Sequence, residues 1–174
     1  MKGIERLAFV DSTTPRMATS LPEMPMPGVV MVRLLRISVF GMGNFFEPVF
    51  RTQELSEHSF HVLCLLVSNN SGIASPSELS EMVGTSRGNM THIINSLEKA
   101  EYVSRKVSNQ DARRHSIAIT EAGRRKVNDM VPKIVDPINQ AFSGLSQDEM
   151  TQLDALLRKL ITSFDQGALN LNNY

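Results

Sequence analysis

Apolar positions along this chain change their spacing from segment to segment, and each change marks an element. From Gly28 to about Phe50 the run VVMVRLLRISVFGMGNFFEPVF is apolar nearly all round, and a helix of that kind must be buried on most of its sides. A chain this short buries it best against a partner subunit. Ser56 then caps a second helix, SEHSFHVLCLLVSN, with Phe60, Leu63 and Val67 at helical spacing and a stop at Asn69, Asn70 and Gly72. Ser75-Pro76-Ser77-Glu78 has the form of a capping box with proline in the first helical position, and it predicts a short helix through Met82. Gly84 supplies a turn, and Thr85 or Ser86 caps the next helix, SRGNMTHIINSLEKA, whose Met90, Ile93, Ile94 and Leu97 form one apolar face. Two helices joined by a tight glycine turn predict a helix-turn-helix.

After Ala100 the period drops to about two. Tyr102, Val103, Arg105 and Val107 lead to a polar turn over 108–114, and Ile117 and Ile119 return from it, which predicts a β-hairpin. Thr120 caps a long helix beginning EAGRRKVNDMV, and Pro132 and Pro137 are expected to bend or split it. A second capping box, Ser146-Gln147-Asp148-Glu149, opens a last helix striped by Met150, Leu153, Leu156, Leu157, Leu160 and Ile161. Ahead of all these lie residues 1–27, where Pro15, Pro22, Pro25 and Pro27 predict an irregular arm in place of a long helix. The expected fold class is mainly α with a small β-hairpin wing, a winged helix-turn-helix flanked by apolar helices.

Composition narrows the function. With 174 residues, 41% of them apolar, the chain is long enough for one ordinary core. Formal net charge is zero, which on its own speaks against a nucleic-acid partner. Its distribution does not. Residues 84–126 hold nine Lys/Arg against four Asp/Glu, whereas 1–83 and 127–174 are both net acidic, so the positive charge sits in the helix-turn-helix and hairpin, where it attracts a phosphate backbone. The lone Cys64 excludes a disulfide framework and a cysteine zinc cluster and reads as a buried, inert thiol. His58 and His61 share a helix face, but four histidines, one cysteine and no nearby carboxylate set leave no metal site there. The stretch Val29 to Phe50 is interrupted by Arg33, Arg36, Asn44 and Glu47, so it is expected to fall short of a membrane span. With no sustained secretion-signal core in the opening residues, a cytoplasmic protein is expected.

In a helix-turn-helix the second helix enters the major groove, and its exposed side chains reach bases and phosphates. Here these are Ser86, Arg87, Asn89, Thr91, His92 and Asn95, with Gly88 allowing close backbone approach. Arginine pairs with guanine, asparagine with adenine, and hydroxyls with phosphate. Ser75 and Ser77 at the start of the preceding helix and Arg105 on the first wing strand extend the set. At the hairpin tip, Arg113 and Arg114 suit a narrow minor groove, with Asp111 holding the arginine in place. The bland alternative is a solvated polar helix and an ordinary hairpin. A second alternative is a protein-interaction module or small enzyme on the same scaffold. No nucleophile with an adjacent histidine base, glycine-rich phosphate loop or paired acid site can be assembled from the sequence, so no catalytic residues or cofactor are expected.

The run SPSELSEMVGTSRGNMTHIINSLEKAEYVSRKVSNQDARRHSIAITEAGRR closely resembles the MarR family of transcription regulators. Leu79, Ser86-Arg87, Leu97-Glu98-Lys99, Asp111-x-Arg113 and Thr120-Glu121-Ala122-Gly123 each match a family motif, densely over roughly 54–126. Glu101 departs from it, because glycine is usual there. The resemblance implies a DNA-binding region over 54–120 and a helical dimerisation region over 28–53 and 121–174. It also implies a homodimer on a palindromic DNA duplex, and repression relieved by a small molecule, commonly an aromatic acid, phenol or thioester. Arg33, Arg36 and Ser38, with His58 and His61, are the residues expected to hold such an anionic effector; snorkelling of the arginines to water is the competing reading.

Overall fold

The computed structural model describes residues 2–107 and 115–171. In chain order the elements are α1 (Gly3–Ser20), α2 (Met26–Arg51), α3 (Glu57–Ser68), β1 (Ile73–Ala74), α4 (Pro76–Val83), α5 (Arg87–Lys99), β2 (Val103–Val107), β3 (His115–Ile119), α6 (Glu121–Ala141) and α7 (Gln147–Leu171). The chain divides into two compact units, one through residue 135 and one from residue 136.

The core of the first unit is built from one face of each element around α3. Val62, Leu63 and Leu66 of α3, Leu79 of α4, Met90, Ile93, Ile94 and Leu97 of α5, and Val103 and Ile117 of the hairpin are all buried. Val127, Met130 and Ile134 of α6, Phe46 and Phe50 near the end of α2, and Leu55 in the loop that follows it complete it. Burial of each such side chain contributes about 1.5–3 kcal/mol before conformational entropy is set against it. Lys126 and Lys133 tie α6 to Gln53, two residues after α2, their Nζ groups donating to Gln53 O at 2.9 Å and to Gln53 Oε1 at 2.5 Å.

The sheet has three antiparallel strands in the order β1-β3-β2. The hairpin register pairs Val103 with Ile119 and Arg105 with Ile117. Strand β1, pairing Ile73 with Ala118, was not evident in the sequence, since two residues carry no period. Its place is set by Gly72, which takes φ +64° and whose carbonyl accepts from Ile119 N at 3.0 Å.

One expectation fails, and another is narrowed. The irregular arm expected over 1–27 is a helix from Gly3 to Ser20 that contains Pro15. Three of the four prolines lie beyond its end, so only Pro15 imposes the usual cost of about 3 kcal/mol. Partners on α2 offset it: Val10 is buried, and Arg33 donates to Val10 O at 3.4 Å, Thr14 Oγ1 at 3.2 Å and Thr13 Oγ1 at 2.7 Å. Likewise Pro132 and Pro137 do not split α6, which is one continuous helix whose buried Gly123, Val127, Met130 and Ile134 hold it along one face.

Helix α2 corrects a third point. By length and composition this 26-residue helix is apolar enough to cross a membrane, despite Arg33 and Arg36 within it. In this single chain it buries only Phe46 and Phe50 and exposes Met31, Val32, Val39, Phe40, Met42 and Phe45. In the second unit, Ser146 and Glu149 close the capping box of α7, with Ser146 N donating to Glu149 Oε2 at 2.8 Å and Glu149 N to Ser146 Oγ at 3.3 Å. Leu153, Leu156, Leu157, Ile161 and Phe164 of α7 are exposed.

Candidate nucleic-acid interface

The reading unit starts with local hydrogen bonds. Ser75 N donates to Glu78 Oε2 at 2.7 Å while Glu78 N donates to Ser75 Oγ at 3.2 Å; the box satisfies two backbone donors that a helix start leaves open. Hydrogen bonds to the carboxylate from the Ser75 backbone N–H, foremost, and from the Ser75 hydroxyl hold the Glu78 carboxyl below its ordinary pKa. Helix α4 ends at Gly84 with φ +71°, the left-handed conformation that closes a helix most cheaply in glycine. Thr85 N then donates to Ser80 O at 3.0 Å. Ser86 opens α5 by accepting from Asn89 N at 3.2 Å.

This geometry rotates α5 so that its apolar face enters the core and its other face is left open. Ser86, Arg87, Gly88, Asn89, Thr91, His92 and Asn95 are all exposed, and an added Cβ at Gly88 would meet nothing within 4 Å. Those exposed side chains are the ones that the sequence proposes for base and phosphate contact. Ser75 and Ser77 lie at the start of α4, Ser75 half-buried and Ser77 exposed. The Ser86 hydroxyl accepts from its own helix and so keeps its proton for another acceptor, whereas the Ser75 hydroxyl is engaged by the Glu78 carboxylate. Asn89 is partly engaged, with Nδ2 donating to Thr85 Oγ1 at 2.8 Å, and Thr91 Oγ1 donates to Arg87 O at 3.0 Å.

The wing is tied to this helix by a contact that the sequence did not suggest. Arg105 on β2 donates to Asn95 Oδ1, and its Nε lies 3.2 Å from Glu98 Oε2. Both partners are on α5. Arg105, expected among the DNA-contacting residues, thus also clasps α5 to the wing, and Glu98 offsets its charge. The signal was present in the sequence as the Leu97-Glu98-Lys99 motif, but the partner lies on the strand that follows the helix, beyond the turn at Glu101, and helical spacing does not reveal it. Asp111, Arg113 and Arg114 at the wing tip lie outside the described residues.

At the far end of α5 the backbone turns through Glu101, which takes φ +60°. Tyr102 N donates to Leu97 O at 2.9 Å and Glu101 N to Glu98 O at 2.9 Å, a Schellman closure with a carboxylate side chain where glycine is favoured. Thr120 fastens the other side: Oγ1 accepts from Gly123 N at 3.0 Å and donates to Glu101 O at 2.7 Å. A Cβ at Gly123 would lie 2.2 Å from Tyr102 O, so α6 packs this close to the strand only because position 123 has no side chain. The Thr-Glu-x-Gly pattern thus has a steric cause.

The residues expected to hold an effector do not form one group. Arg33 and Arg36 line a cavity of about 310 Å³ with Arg6, Phe9, Val10 and Ile37, on the side of α2 that faces α1. Ser38 Oγ donates to Leu34 O at 2.9 Å, and His58 and His61 are exposed on α3; none of the three lines that cavity. Cys64 is half-buried, and burial pushes its thiol pKa up, which suits an unreactive side chain. No group of three or more His, Cys, Asp or Glu among the described residues is placed to hold a metal ion.

Comparison with known proteins points one way. The family model described as MarR family matches residues 55–115. The transcriptional repressor MprA of Escherichia coli K12 is 34% identical over 120 residues, 69% of this chain and 68% of that protein. Among solved structures, Sco3205 from Streptomyces coelicolor, a MarR family transcriptional regulator in complex with DNA, superposes with a TM-score of 0.73 at 18% identity, over 80% of this chain and 89% of that one. Bordetella bronchiseptica BpsR, whose DNA binding is regulated by 6-hydroxynicotinic acid, gives a TM-score of 0.68 at 23% identity, over 75% of this chain and 97% of that one.

Proposed function

The chain belongs to the MarR family and is a DNA-binding transcription regulator, and we propose that it acts as a homodimeric, cytoplasmic repressor whose hold on a palindromic operator is loosened by a small anionic effector. The observation that carries the DNA part is α5: four apolar side chains buried on one face and Arg87, Asn89, Thr91, His92 and Asn95 exposed on the other. A helix held in this way presents base-reading groups at fixed positions, and the clasp through Arg105 sets the wing beside it.

Two further observations support the rest. The apolar surface of α2 is too large to leave in water, and a second copy covers it with matching chemistry, since a two-fold interface joins like surfaces. Two reading heads related by that axis then suit half-sites about one helical turn apart. Effector control is supported by the regulation of BpsR by an aromatic carboxylate.

The test is a titration of duplex operator DNA at several salt concentrations. Binding should weaken steeply as salt rises, with log K falling by about 0.9 per phosphate neutralised, and a scrambled duplex should bind weakly throughout. Salt-independent or sequence-indifferent binding would refute the reading.

A further inference from the structure

We propose that Arg105 fixes which way the Asn95 amide faces, and that Asn95 therefore selects keto bases, guanine or thymine, at the position it reads. This deepens the function proposed above: it rests on α5 as the reading helix and names what one of its residues prefers.

An asparagine amide accepts through Oδ1 and donates through its NH2 group, so an unrestrained one turns either way and pairs with adenine through both atoms. Asn95 is restrained. Arg105 on β2 donates to its Oδ1, and a guanidinium has donors only, so the oxygen and not the NH2 group must face the wing. The arginine is itself held from a second side, with Nε 3.2 Å from Glu98 Oε2. Asn95 and Glu98 both belong to α5, at the spacing that makes side chains neighbours on a helix surface. Turning the amide over would set its NH2 hydrogens against those of the guanidinium and leave that cation short of an acceptor. Asn89 is not restrained in this way. Its Nδ2 donates to Thr85 Oγ1 at 2.8 Å, but a hydroxyl donates as readily as it accepts, so that amide turns over at little cost.

What remains for DNA is the NH2 group. Asn95 is exposed and shares one face of α5 with Gly88, two turns earlier, which has no side chain to hold that face off the bases. In the major groove guanine offers N7 and O6 and thymine offers O4, all acceptors, whereas cytosine offers an amino donor and adenine sets one beside its N7. A donor held outward is met by the first two bases and opposed by the amino groups of the others. Oδ1 keeps a second lone pair, but a base amino group approaching it comes up against the Arg105 cation. Adenine thus loses the advantage it has with a free asparagine. A phosphate oxygen is the other acceptor open to an NH2 group, and it carries no sequence information. Phosphate binds more strongly to the remaining donors of the charged guanidinium alongside, which leaves the neutral amide for a base edge.

Selection of the full-length protein against a library of randomised duplexes, followed by titration of all four bases at each selected position, tests this. Wild type should show a position in each half-site where guanine or thymine binds roughly tenfold better than adenine or cytosine. Asn95→Ala should level that preference there and nowhere else. Arg105→Met frees the amide, so adenine should rise at that position to match or pass guanine while the other positions keep their order. Arg105→Lys, still a donor only, should restore the keto preference. Asn95→Asp keeps an acceptor for Arg105 and has no donor, so the clasp survives and the preference should reverse toward adenine and cytosine. An arginine that serves only as a clasp would lower affinity in Arg105→Met with the order of bases unchanged, and that result overturns the proposal. Weaker binding by Asn95→Ala with every base preference intact marks a phosphate contact and overturns it too. A selected consensus in which no position depends on Asn95 removes this inference and leaves the function proposed above standing, whereas failure to select any consensus removes both.

Discussion

Helix α5 has 13 residues and buries Met90, Ile93, Ile94 and Leu97 within its own chain, whereas α2, with 26, buries only Phe46 and Phe50. Both are regular helices. What differs is where the apolar surface goes: on α5 it forms one stripe that the surrounding elements cover, and on α2 it runs nearly all round while a single chain fully buries only Phe46 and Phe50. The first arrangement makes a reading head that is complete in one copy. The second leaves Val39, Phe40, Met42 and Phe45 open, and such a surface is stable in water only when something else lies on it. On the function proposed above, the head carries specificity and the open helix carries the demand for a second copy.

The strongest way to break this contrast is to put a charge on the open face of α2. Val39 is 64% exposed, so Val39→Glu should leave the isolated chain folded. In a dimer the same carboxylate is buried unpaired in each copy, at a cost of about 3–5 kcal/mol. Sedimentation at low micromolar concentration should then show monomers where the wild type is dimeric, and operator affinity should collapse with it. A dimer that survives Val39→Glu would mean that α2 lies outside the interface.

The reverse operation removes reading without touching assembly. Arg87→Ala deletes an exposed side chain, and a lost base or phosphate contact should weaken operator binding by about 1–3 kcal/mol, roughly tenfold to a hundredfold, with mass and melting temperature unchanged. Arg113→Ala should lose a similar amount if the wing tip enters the minor groove. Full affinity in both would move recognition to another surface.

The same contrast decides what could be read from sequence. The capping boxes at Ser75 and Ser146, the turn at Gly84 and the apolar face of α5 depend on residues within a few positions of one another, and all are found as expected. What depended on distant partners was not legible. Pro15 argued against a helix, and the bonds from Arg33 that hold α1 come from about twenty residues away. Strand β1 exists because β3 pairs with it. Arg105 looked like a free cation until Asn95 and Glu98 on another element claimed it. The expected effector residues were grouped by the proximity of two helices in sequence, whereas Arg33 and Arg36 line a cavity with residues of α1 that His58 and His61 do not line.

A smaller effect sharpens the account of the head itself. Glu101 sits at φ +60°, where a side chain costs about 1–2 kcal/mol and glycine costs little. Glu101→Gly should therefore stabilise the chain by about 1 kcal/mol, after allowance for the added freedom of glycine in the unfolded state. That corresponds to a rise of roughly 2–4 °C in melting temperature. DNA affinity should not change, since the turn lies at the end of α5 away from Arg87. A fall in melting temperature would mean that the Glu101 side chain contributes more than its backbone strain removes.

The smallest effect is a pH dependence in the cap of α4. Ser75 N and the Ser75 hydroxyl hold the Glu78 carboxyl below its ordinary pKa, so the ionised form is favoured in the folded chain. A depressed folded-state value adds stability above the ordinary carboxylate range, and that stability is lost as pH falls through the depressed value. Glu78→Gln keeps the shape and removes the charge. Other carboxylates titrate alike in both proteins, so the difference in melting temperature between them isolates Glu78. Because the group is solvent-exposed, screening keeps that difference small, about 1–2 °C in favour of the wild type at pH 7. It should shrink toward zero near pH 3, where the glutamate is neutral as well. A difference of the same size at both pH values would show that the cap of α4 acts through shape alone and that the charge of Glu78 has no part in holding the reading head in place.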